Sequence, residues 1–172
     1  DNNHLSGAYA GLTGRRHPME NRSVEAADAD FPQYGSVLSK LRPNARGLPT
    51  FVSVPEMIHT TNGMITPGQG AGFLGKRYEP FQVTDHPDRH DFSIASLKLP
   101  SGVGLERLAG RRGLLEQLEQ TSRLVERSAQ ARSLDQFYER ALDMVLAPET
   151  RQAFDLGRVP EAERWRYGWH TF

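Results

Sequence analysis

Cysteine is absent from this 172-residue chain, which removes disulfides, thiolate metal sites and a cysteine nucleophile together and leaves the redox compartment open. Long apolar runs are missing too: none approaches the roughly 18 residues that span a bilayer, and the first residues carry no signal-peptide pattern. Net charge is the third absence. Lys plus Arg and Asp plus Glu stand at 21 each, so no long-range field favours nucleic acid or an anionic membrane surface. Lysine is scarce, at Lys40, Lys76 and Lys98 against 18 Arg; guanidinium suits paired or stacked roles, and biased codon usage gives the same excess. Leu, Ile, Val and Phe make up about 22% of the residues, close to the roughly 20% below which chains tend to stay disordered. A core this thin, with no Met at the start, leads us to expect a segment of a larger protein that once met neighbours.

What is present divides into two parts. In HLSGAYAGLT, Leu5, Ala8, Tyr9 and Leu12 fall on one helical face with Gly14 as the C-terminal cap. Arg15 to Asp30 is polar and aperiodic, a surface loop. FPQYGSVLSKLRP predicts a second short helix, with Tyr34, Val37, Leu38 and Leu41 inward and Pro43 ending it. LPTFVSVPE is the best strand, bracketed by Pro49 and Pro55. Met57 to Pro80 is rich in glycine, either a long structured loop or nothing ordered. FSIASLKLP fits a second strand or an extended segment, with Phe92 and Ile94 inward and Leu97 and Leu99 as further candidates for that face. Beyond Gly104 the pattern turns helical, with Leu105, Leu108, Leu115, Leu118 and Val125 on one stripe. Ser133-Leu-Asp-Gln136 has the form of a capping box and predicts the next helix start, with Leu134, Phe137, Ala141 and Val145 inward. Pro148 and Pro160 suit the first positions of two further short helices. The expectation is a single partial domain over 1–172, strand- and loop-rich to residue 103 and helical from 104.

Four blocks in order, DNNHLSGAYAGLTGR, GQGAGFLG, GLERLAGRRGLLEQL and AFDLGRVPEAERWRYG, resemble the uncharacterised, sulfatase-like family called domain of unknown function 1501, in the alkaline phosphatase superfamily. The resemblance covers nearly the whole chain and is to an internal portion of longer proteins. It implies an α/β fold, a partial alkaline phosphatase/sulfatase-like one, with a short portion of parallel sheet and Gly-rich loops followed by a mainly helical part. It also implies hydrolysis of sulfate or phosphate esters with a divalent metal ion, a small anionic ester or sulfated polysaccharide as substrate, and a periplasmic or secreted setting behind a twin-arginine export signal. The missing remainder of the chain would be its packing partner; neither nucleic acid nor a membrane span is expected.

The sulfatase signature C-x-P-x-R-x-x-x-x-T-G, laid on HLSGAYAGLTG, matches Thr13 and Gly14 and puts His4 at the nucleophile, Ser6 at the Pro and Ala8 at the Arg. Formylglycine cannot form at a histidine, so chemistry of that type does not carry over. His4 is the candidate catalytic residue as nucleophile, proton shuttle or metal ligand, or else a polar residue at a helix start. The metal ligands of the superfamily find no matching stretch, and the reactive centre is expected outside this chain. The alternative is a non-catalytic binding or surface module for a polysaccharide or a protein.

The remaining candidates are weighed on their residues alone. GQGAGFLG offers backbone N–H groups for an anion nest, or a structural loop packing Phe73 and Leu74 onto the core. HPDRHD could bring His86, Asp88, His90 and Asp91 to one cation, though polar loops carry such runs by chance. His59 follows the predicted strand, where active-site residues of open sheets sit, or faces solvent. His17 and His170 show no constellation. Trp165, Tyr167 and Trp169 alternate with Arg164, Arg166 and His170 as a stacking platform or as packing against absent neighbours. Arg111 and Arg112 oppose the helix dipole, which predicts a salt-bridge partner.

Overall fold

The computed structural model describes residues 4–19, 25–44, 47–87, 89, 91–99, 101–121 and 129–168. The fold is mixed α/β, and the chain divides into two compact units. The first takes the described residues of 1–44 and 49–84, the second those of 45–48 and 85–171.

In the first unit, α1 (His4–Thr13) ends at Gly14, whose φ of +69° is the left-handed conformation that a helix stop asks for. Its innermost face is Ser6, Tyr9 and Thr13, one step round from the predicted stripe, and Leu5 and Leu12 are half-buried. Tyr9, fully buried, is the centre of this unit's core.

The second helix, α2 (Tyr34–Leu41), lies where the period and Pro43 predict, but with the opposite face inward. Ser36 and Ser39 are buried with hydroxyls that find no partner, while Tyr34, Leu38 and Leu41 are exposed. Close approach is the physical reason. A Cβ at Gly35 would stand 2.5 Å from the Phe51 ring, so only the small side of α2 can enter that contact, and the bulky stripe is left outside.

β1 (Val52–Ser53) pairs in parallel with β2 (Phe81–Gln82), Val52 opposite Phe81. The amides of Phe81 and Val83 donate to the carbonyls of Phe51 and Ser53 at 2.9 and 3.0 Å. β1 is the expected strand; β2 closes the glycine-rich stretch. The segment expected as a second strand or extended run takes the extended form, with a 3-10 turn at Ala95–Leu97 and with Ile94 and Leu97 buried.

The glycine-rich stretch is ordered. His59 and Ile65 form an antiparallel bridge, and Gln69 clips the base of this hairpin. Its Oε1 accepts the Ile58 amide at 2.7 Å, and its Nε2 donates to the carbonyls of Ile58 and Thr66, both at 2.8 Å. Two short 3-10 turns, Gly72–Leu74 and Lys76–Tyr78, lead on to β2.

The second unit is helical: α3 (Leu105–Thr121), α4 (Ala129–Leu146), α5 (Pro148–Ala153) and α6 (Glu161–Trp165). α4 is already helical at Ala129, so Ser133–Gln136 lie inside it rather than at its start, because an unbroken run of helix-compatible residues precedes them. Among its described side chains Met144 is buried, while Phe137, expected inward, is exposed. Arg111 and Arg112, expected at the start of a helix, lie well inside α3, and Arg112 is paired with Glu116 at 3.0 Å on its own helix and with Asp143 at 2.6 Å on α4. Pro148 occupies the first turn of α5, and the buried Thr150 hydroxyl donates to the Gly47 carbonyl at 3.2 Å.

Candidate functional site

The first unit encloses a cleft of about 180 Å³ whose polar lining is Asp28, Asp30, Gln69, Lys76 and Glu79, with Phe31, Met57 and Ile65 as apolar wall. Glycine makes its floor. Gly72 has φ +49°, and a Cβ there would fall 2.0 Å from the Asp30 carbonyl oxygen; the close approach lets the Phe73 amide donate to that oxygen at 3.1 Å. At Gly70 a Cβ would stand 2.7 Å from the Glu79 carboxylate. Its absence lets Glu79 lie against the loop and accept the Ala71 amide at 3.2 Å. One amide of GQGAGFLG, that of Ala71, thus meets an anion, and that anion is the protein's own carboxylate.

Lys76 joins the two sides of the cleft. Its ammonium reaches Asp28 at 3.1 Å and Glu79 at 3.5 Å. Partial burial pulls its pKa down, but the hydrogen bond to Asp28 and the charges of Glu79 and Asp28 outweigh it, so the group sits above the ordinary lysine value.

Behind the floor lies a polar knot absent from the sequence expectations. Asp30 is buried; one oxygen accepts the Ala27 amide at 2.8 Å, and the other is 3.5 Å from His17 Nε2. His17 is buried as well, and its Nδ1 accepts the Met19 amide at 3.1 Å, so that nitrogen carries no proton and Nε2 is the one that faces Asp30. Tyr9 stacks edge-on against His17 with centroids 4.6 Å apart, and its hydroxyl accepts the Phe31 amide at 2.7 Å. Burial raises the Tyr9 pKa; the Phe31 amide opposes the rise and the Asp30 charge adds to it. The only warning in the sequence was a histidine and an aspartate closing the two ends of one polar loop.

Among the described residues, none of the other predicted side chains belongs to the cleft lining. His4 is exposed at the first residue of α1. His59 is exposed in its bridge with Ile65. His86 is exposed, and Asp91 is paired with Arg89 at 3.0 Å, which holds its carboxyl below the usual range; Asp88 and His90 lie outside the described residues. Phe73, expected inward, is exposed and meets Phe31 edge-to-face at 5.5 Å, because the 3-10 turn at Gly72 points it outward. Trp165 and Tyr167 are exposed, while Trp169 and His170 lie outside the described residues. Among the described residues no three His, Asp or Glu side chains gather to hold a metal ion, and no helix is long and apolar enough to cross a membrane.

One family model matches residues 1–171, that of the family described as Protein of unknown function (DUF1501). No curated protein and no solved structure matches the chain.

Proposed function

The chain belongs to that family of unknown function, and on this premise we propose that it forms scaffold and cleft wall of a sulfatase-like hydrolase of the alkaline phosphatase superfamily, acting on sulfate or phosphate esters. One observation supports the reading: the cleft is walled by the segment that leaves the carboxyl end of β1, a strand paired in parallel. Ligands of open α/β sheets bind beyond such ends. The same resemblance implies an extracytoplasmic setting.

The divalent ion that the resemblance implies does not fit the side chains described. The Lys76 ammonium stands between Asp28 and Glu79, where a cation would sit, and Asp30 is engaged by His17 and the Ala27 amide. No step of hydrolysis is derived through these residues, and the reactive centre belongs to other parts of the whole protein. Assays of a sulfate and a phosphate monoester with the isolated 172 residues, supplied with Ca²⁺, Mg²⁺ or Zn²⁺, are expected to show no turnover. Turnover that His4→Ala abolishes would put the centre here and overturn the reading.

The second reading is a non-catalytic binding module, favoured by the exposure of Trp165 and Tyr167. An intact protein that retains no metal and cleaves no ester would decide for it.

A further inference from the structure

We propose that the cleft lined by Asp28, Gln69, Lys76 and Glu79 binds a neutral, hydroxyl-rich group of the size of one sugar ring, and not the anionic ester group itself. The inference deepens the hydrolase reading and rests on it: the ring would be the uncharged part of the ester substrate.

Charge comes first. Three carboxylates border the cleft, Asp28 and Glu79 at its wall and Asp30 buried behind its floor, against one lysine that is already paired with the first two. A sulfate or phosphate entering would meet an excess of like charge in a partly desolvated place. A metal cation would have to displace the Lys76 ammonium from its hydrogen bonds. Neutral hydroxyls face neither barrier. A hydroxyl donates to a carboxylate oxygen and accepts from an ammonium at once, so an alternation of acid and base around a small space matches a ring bearing several of them.

Shape and rigidity agree with this. About 180 Å³ is below the few hundred Å³ of drug-sized sites, which limits the occupant to a group of about one ring. Phe31, Met57 and Ile65 give the C–H face of a ring apolar surface within the same lining as the polar groups. The acceptors are held in place before any ligand arrives: the Ala71 amide fixes Glu79, and Lys76 fixes Asp28. Fixed acceptors lower the ordering cost of binding.

The test titrates the 172-residue chain with methyl glycosides of neutral hexoses, with their 6-sulfated forms and with inorganic sulfate, following amide shifts of Ala71 and Phe31. A neutral glycoside is expected to shift both amides in the millimolar range, with the sulfated form of the same sugar binding no tighter. Asp28→Asn, at an exposed rim position, should weaken binding about tenfold, which is about 1.4 kcal/mol, with unchanged circular dichroism. Phe31→Leu, which keeps the apolar bulk, should weaken it less than Asp28→Asn. Inorganic sulfate shifting the same amides, sulfated forms binding tighter, or no shift with any neutral hexose up to about 50 mM would each overturn the proposal. Ester turnover by the intact protein is read separately: turnover with an unresponsive cleft sinks this inference alone, and a responsive cleft without turnover sinks the hydrolase reading alone.

Discussion

Gly72 and Gly63 both have positive φ, at +49° and +82°, yet only one of them is also a packing position. At Gly72 a Cβ meets the Asp30 backbone, whereas at Gly63 it meets open space. Gly72→Ala should therefore cost about 3 kcal/mol or more, strain plus overpacking, against about 1 kcal/mol for Gly63→Ala, which carries strain alone. Urea denaturation of the two variants measures the difference, and equal losses would show that Asp30 yields to the methyl group. The residue scale also holds an alkaline signature. The pKa of Lys76 is raised in the folded state, so its link contributes stability fully present below the unfolded lysine value of about 10.4 and lost as pH rises through the higher folded value. Tyr9, also raised, favours its neutral form in the fold and acts in the same direction. Melting temperature should fall less steeply with alkaline pH in Lys76→Met than in the parent; a slope unchanged by the substitution would assign the fall to Tyr9 and other groups. His17 illustrates what was illegible here. Its partner Asp30 is brought to it by the fold of an aperiodic loop, and a loop without period gives no phase from which to infer a meeting.

Helix α2 shows how a period can be read correctly and its face incorrectly. Tyr34, Val37, Leu38 and Leu41 are spaced as a buried stripe, and Gly35, Ser36 and Ser39 make a stripe of their own on the other side. Hydrophobicity chose the first and steric closeness to Phe51 chose the second. The consequence is opposite to the usual expectation for an amphipathic helix. Leu41→Ser, at a position 72% exposed, should change stability by less than about 0.5 kcal/mol, and Ser36→Leu, at a fully buried position, should cost about 2 kcal/mol or more. Thermal melts of both variants decide it; a larger loss from Leu41→Ser would mean that the leucine face is covered in solution. The elements that local chemistry marks were legible: the Gly14 stop of α1, the Pro43 limit of α2, the bracketed strand β1 and the Pro148 start of α5. β2 and the continuation of α4 through Ser133–Gln136 were not, since a two-residue strand is defined by its partner and a helix interior can contain the letters of a cap.

At the scale of the whole molecule, the balance of 21 cations against 21 anions gives no direction, and ion pairing inside each unit gives what specificity there is. Lys76 consumes Asp28 and Glu79 in the first, and Arg112 and Arg89 consume Asp143, Glu116 and Asp91 in the second. These five acids are therefore paired with cations of the chain itself before a free ion competes. A ligand that binds only the folded state at a hundred times its dissociation constant adds about 2.7 kcal/mol, a shift of several degrees that thermal denaturation resolves. Millimolar Ca²⁺, Mg²⁺ or Zn²⁺ should leave the melting temperature of this chain unchanged after correction for ionic strength. A saturable rise with one of them, lost in Asp28→Asn or in His86→Ala, would show that the internal cations yield, and would move the metal of the family resemblance into these residues.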